Sequence, residues 1–121
     1  MKSNHSLVKS FRFAFDGLKV TFVRGRNFRI QVALGTLAVI LGVLFKISDF
    51  DWVDLILIIA AVLILELLNT SIEAIVDIVS PEIQEKAKIA KDVSAAAVLI
   101  ASFAAIVIGA IFFLPKILSF L

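Results

Sequence analysis

The sequence predicts an all-α integral membrane protein with three transmembrane helices behind an amphipathic interfacial helix. Of the 121 residues, 61% are hydrophobic and the mean hydropathy is +1.09, whereas a soluble domain is roughly half apolar. The apolar residues gather in three stretches, each long enough or nearly so for a bilayer core about 30 Å thick, which takes roughly 20 helical residues. Ten of the twelve lysines and arginines fall in two places, ahead of the first stretch and between the second and third. The chain has room for one small membrane-embedded domain over 1–121.

The first element is a surface helix over about 6–28, in which Leu7, Phe11, Phe15, Leu18 and Phe22 recur at intervals of three or four with basic residues mostly elsewhere. Such a helix is suited to lying in the membrane interface. Lys2, Lys9, Arg12, Lys19, Arg24, Arg26 and Arg29 stand against one acid, Asp16, in the first 29 residues, a net charge of +6. By the positive-inside rule this end is cytoplasmic. No short apolar region precedes it, so the first span is not a cleavable signal and stays in the mature protein.

The three spans follow at about 30–46, 52–71 and 92–114. The connection "KISDFDWVD" has one lysine and three aspartates, whereas "SPEIQEKAKIAKD" carries Lys86, Lys88 and Lys91. The alternation places the first loop outside, the second inside and the C-terminus outside. Pro81 after Ser80 predicts the end of the second helix, because the residue before proline disfavours helical geometry. Pro115 predicts the exit of the third.

The segment "ELLNTSIEAIVD" breaks the apolar pattern. On a helical wheel Glu66, Asn69, Thr70, Glu73 and Asp77 fall at about 0°, −60°, +40°, −20° and +20°, which makes one polar stripe. Glu66 and Asn69 lie within the inner end of the span, and Glu73 and Asp77 at its cytoplasmic surface. Ionisable groups at membrane depth cost on the order of 3 kcal/mol unless they face protein, water or a cation. Hydrogen bonds and salt bridges inside a helix bundle, with Lys86, Lys88 or Lys91 as partners, would satisfy a single acid. Several like charges on one face need denser positive charge, which Mg²⁺ supplies when carboxylate and phosphate oxygens bind it together. Lys91 and Asp92, at the entrance of the third span, place a cation where phosphate oxygens would arrive, and Ser94 to Ala97 allow a helix or lipid chain to approach closely.

Other chemistries are excluded or unsupported. The chain has no cysteine, no G-x-x-x-x-G-K-[ST] and no G-x-G-x-x-G, and nothing points to nucleic acid. Its single histidine, His5, lies in the N-terminal tail and is not expected to act in catalysis.

The block "ELLNTSIEAIVD", followed by "PE" and by "AKD" before a small-residue helix, and preceded by "RNFRI", resembles the prokaryotic diacylglycerol kinase and undecaprenol kinase family over residues 11–115. The resemblance implies a homotrimer of three-helix subunits with sites shared between neighbours, in the bacterial plasma membrane, transferring the γ-phosphoryl group of MgATP to a lipid hydroxyl. It implies Glu66 as general base, Asn69 as a polar residue beside it, and Glu73 as a metal ligand that also meets the nucleotide. Asp77, Glu82, Lys91 and Asp92 match positions in or around the nucleotide site. Asn27, Phe28 and Arg29 lie in the matched segment near the lipid. Ala95 and the proline before Glu82 favour undecaprenol as acceptor, with diacylglycerol as the alternative.

The chain departs from the family pattern at three positions. Gly25 stands where a second metal-binding glutamate is usual, and Gln31 and Gln84 stand where histidine or another titratable residue is common. Asp16 and Glu85 are acids that could stand in for the lost carboxylate, and Gly25→Glu is expected to strengthen metal binding. The rival readings are a kinase-like oligomer without activity and a pore. Against a pore, "LILIIAAVLIL" in the outer half of the second span offers no polar path.

Overall fold

The computed structural model describes residues 6–121, so His5 and Lys2 lie outside the described residues. Four helices follow in order: α1 (Leu7–Arg24), α2 (Arg26–Leu44), α3 (Asp49–Val79) and α4 (Glu85–Leu118). Helices α2, α3 and α4 are each long and apolar enough to cross a membrane. The all-α expectation and the three spans therefore hold. α3 packs most extensively on α4 and next on α2, while α1 touches both α2 and α3.

Helix α1 starts where Ser6 caps it, its side-chain oxygen accepting from the backbone N–H of Lys9. It ends at Arg24, four residues before the expected 28, because Gly25 takes an extended conformation (φ −97°, ψ 102°) that ends α1 and begins α2 at once. The first span accordingly begins at Arg26 rather than near Ile30. Glycine is required here by space. The Gly25 N–H donates to the Thr21 carbonyl at 2.7 Å, and a Cβ on Gly25 would stand 2.5 Å from that same oxygen. The Arg29 guanidinium then reaches back one helix, donating from Nη1 to the Phe22 and Val23 carbonyls at 2.8 Å each. It satisfies carbonyls that the end of α1 leaves without helical partners.

The α2–α3 turn closes through Lys46 in the left-handed region at φ 51°. Ile47 N–H bonds the Gly42 carbonyl and Lys46 N–H the Val43 carbonyl, the paired pattern of a Schellman ending. Ile47, Leu55 and Phe113 form the buried cluster at this end, with Phe45, Trp52 and Phe112 packed around it. A Cβ on Gly42 would meet the Trp52 ring at 2.8 Å, so the small residue lets the indole lie against α2. Ser48 caps α3 by accepting from Asp51 N–H.

α3 has 31 residues and α4 has 34, lengths of about 46 and 51 Å at the helical rise. Both exceed a bilayer core, so they extend past the expected 52–71 and 92–114. α3 stops at Val79, with Ser80 as C-cap ahead of Pro81, as the proline predicts. Pro115 does not end α4, which continues to Leu118 with Ser119 N–H bonded to the Pro115 carbonyl. Proline forfeits only its own N–H, a loss that helices of membrane proteins tolerate. Most large apolar side chains face outward, Leu99 and Phe103 among them.

Candidate functional site

The stripe on α3 is resolved by the fold into three pairs at increasing distance along the helix. Deepest is Glu66, only 6% exposed. Gln31, in the second turn of α2, donates from Nε2 to Glu66 Oε1 at 2.9 Å. One turn on, Asn69 is 8% exposed and donates from Nδ2 to the exposed Glu73 Oε1 at 3.2 Å. At the far end the Lys91 ammonium of α4 forms a salt bridge with Asp77. Thr70 turns its hydroxyl back to the Glu66 carbonyl at 2.9 Å, a local bond that takes it out of the stripe's chemistry.

Glu66 is buried within the single chain, where α2 reaches it through Gln31. Glu73 and Asp77 are the acids left open.

Two buried oxygens, Gln31 Oε1 and Asn69 Oδ1, have no hydrogen-bond partner. Such orphans are uncommon in folded proteins and mark places where a donor or a cation can be received. Asn69 Oδ1 and the Glu73 carboxylate lie a turn apart on one face. They suit a Mg²⁺ ion that arrives with most of its oxygens supplied by a polyphosphate and by water. Among the described residues no three acids or histidines cluster in metal-holding geometry. Asp16 and Glu85 therefore form no three-acid cluster with Glu73 among the described residues.

The remaining expected residues are spread around this centre. Asp92, directly after Lys91, is taken by Lys88 in an exposed i,i+4 pair at 2.5 Å. Glu82 is exposed in the α3–α4 connection, where its carbonyl accepts from Ser80 Oγ at 2.9 Å. Asn27 and Ala95 are exposed and Phe28 is buried, while the Arg29 guanidinium is engaged with α1. Of the two glutamines, Gln84 is the N-cap residue of α4 and only Gln31 meets the stripe. The signal for Gln31 was legible as a lone amide in an apolar helix, but its partner was not.

An open cavity of about 270 Å³ runs between α2, α3 and α4, lined by Leu34, Ile59, Val62 and Phe113 among other apolar side chains. Its polar lining residues are Gln31 and Ser102, both toward the Glu66 end of the bundle. The slot ends at Gln31, whose amide bonds the buried Glu66, and Glu73 and Asp77 lie exposed farther along the same stripe.

Residues 12–113 match the model of the family described as prokaryotic diacylglycerol kinase. The chain belongs to this family. It is 41% identical over 115 residues to a diacylglycerol kinase of Synechocystis sp., covering 94% of this chain and 66% of that longer one. It is 38% identical over 109 residues to the undecaprenol kinase of Bacillus subtilis, covering 90% and 89%. To a diacylglycerol kinase of Escherichia coli it is 33% identical over 101 residues, covering 84% and 83%. Family membership makes the chain a lipid kinase, and with its three apolar helices a bacterial membrane protein.

Proposed function

We infer that the chain transfers the γ-phosphoryl group of MgATP to the hydroxyl of a membrane lipid, with undecaprenol as first acceptor. The observation that carries this is the division of α3: a buried Glu66 held by Gln31, which lines the polar end of an apolar slot, and exposed Glu73 and Asp77 two and three turns away. A lipid hydroxyl can come from one side and a nucleotide from the other.

In this reading Glu66 takes the hydroxyl proton as the lipid oxygen forms its bond to Pγ. The bond from Pγ to the bridging oxygen breaks, and its electron pair leaves with ADP. Magnesium, when bound, neutralises charge on the β- and γ-phosphates. Glu73 and Asn69 hold that end of the nucleotide, and Lys91 keeps donors free for phosphate while Asp77 fixes its ammonium. Gly25 leaves the protein with fewer carboxylate ligands than the family pattern. The orphaned Asn69 Oδ1 offers a neutral oxygen beside Glu73.

The working form is a homotrimer with its N-terminus and the α3–α4 connection in the cytoplasm, where ATP is. The wide outward apolar surface and the open side of the stripe support assembly. The basic N-terminus and Lys86, Lys88 and Lys91 support the orientation. Diacylglycerol is the second acceptor, favoured by the 41% identity to the Synechocystis relative of that name.

The test is phosphoryl transfer from labelled ATP with Mg²⁺ to undecaprenol and to diacylglycerol in mixed micelles. Label is expected in undecaprenyl phosphate ahead of phosphatidic acid. Preferential labelling of diacylglycerol would reverse the acceptor order, and label in neither lipid would sink the reading.

A further inference from the structure

Gln31 is held more firmly than a side chain on a lipid-exposed helix needs to be. The first turn of α2 is locked by the Arg29 guanidinium on the Phe22 and Val23 carbonyls and by Phe28, which is 4% exposed. Gln31 follows directly on this anchored turn. Its amide meets Glu66 across 35 residues of sequence at 2.9 Å. Only the NH₂ side of an amide can donate to a carboxylate, so the contact also fixes which way the amide faces. Gln31 Oε1 is left without a partner at the polar end of the apolar slot.

A glutamate side chain has three rotatable bonds, and burial alone does not select one arrangement of them. A carboxylate that must meet a hydroxyl at one oxygen gains by having its other oxygen tied down, because misplacement by about 1 Å can cost about 100-fold in rate. The described hydrogen bonds give Glu66 one side-chain partner, Gln31 on Oε1. Oε2 is then the oxygen left to face the incoming hydroxyl.

We propose that Gln31 is the positioning residue for Glu66, holding Oε1 from α2 so that Oε2 is the oxygen free to meet the lipid hydroxyl. This rests on the kinase reading above, with Glu66 as the group that takes the proton. Gln31 itself exchanges no proton and touches neither phosphate nor metal. Its effect belongs to turnover and not to nucleotide binding, which separates it from a residue that merely stabilises the fold.

The experiment compares wild type, Gln31→Leu, Gln31→His and Glu66→Gln in mixed micelles containing undecaprenol or diacylglycerol, with MgATP varied. Gln31→Leu keeps bulk in an apolar slot while removing the donor. It is expected to lower kcat about 100-fold with KM for MgATP within about twofold. Gln31→His returns an N–H donor of similar reach and is expected to regain about tenfold of the loss. Full kcat in Gln31→Leu beside an inactive Glu66→Gln overturns the positioning role and leaves the kinase reading standing. A loss carried by KM, or one that histidine does not relieve, overturns it as well. Absence of transfer by the wild type to either lipid overturns both.

Discussion

The two ends of the α3 stripe are stabilised in different ways. At Glu66 the partner is a neutral amide from α2, and the carboxylate is almost wholly enclosed. At Asp77 the partner is the Lys91 ammonium of α4, and the two side chains are 65% and 39% exposed. The deep end meets a carboxylate with the dipole of an amide. The shallow end cancels charge with charge while water screens what remains. A base for a lipid hydroxyl needs the first arrangement, and a landing place for phosphates is compatible with the second.

The contrast breaks most visibly at Glu66. Glu66→Gln keeps the size of the side chain and removes the base, so kcat is expected to fall about 10³-fold while MgATP binding persists. Steady-state kinetics beside a nucleotide-binding titration decides it, and undiminished turnover would return the deep end to a structural role.

The next effect concerns the junction that brings Gln31 to Glu66. From the family pattern Gly25→Glu should restore a metal ligand, but a Cβ there would stand 2.5 Å from the Thr21 carbonyl. The α1–α2 junction would have to shift, at about 1–3 kcal/mol, as overpacking usually costs. Thermal unfolding in detergent should show a lower Tm, and metal titration should show no gain in affinity. An unchanged Tm with tighter Mg²⁺ binding would restore the family expectation.

Glu73→Gln sharpens the shallow end. Losing one charged ligand beside Asn69 is expected to weaken MgATP binding about tenfold, with kcat at saturating nucleotide largely kept and partial rescue by added Mg²⁺. A collapse of kcat with unchanged KM would merge the two ends into one function.

Asp77→Asn should have the smallest effect on the fold, below about 1 kcal/mol, because exposed ion pairs are worth little. Denaturant titration at low and high salt measures it, and a larger loss would mean that the α3–α4 pairing depends on this bridge.

Much of this was legible beforehand because it follows from local rules. The three spans follow from apolar length, the stop before Pro81 from backbone sterics, and the α3 stripe from helical periodicity. The block around Glu66 also pointed to the family that the chain proved to join. Glu66, Asn69 and Glu73 fall on one face, as the wheel angles require. Asn69 and Glu73 pair with each other along that face, whereas the Gln31 partner of Glu66 was not legible, since periodicity says nothing about which helix lies opposite. Pro115 lies inside α4, which runs on to Leu118, so that proline does not mark a helix end.

The sequence by itself determined the membrane class, the helix count and the line of acids on α3, because each depends on residues a few positions apart. The tertiary structure alone decided that Gly25 is a glycine of close approach, that Arg29 anchors α2 to the end of α1, and that Gln31 reaches Glu66. The first two contacts span four to seven residues but need the backbone geometry of the α1–α2 junction, whereas the third spans 35 residues. Which helix lies opposite Glu66 is fixed by the packing of α2 on α3, and no window of sequence around either residue contains it.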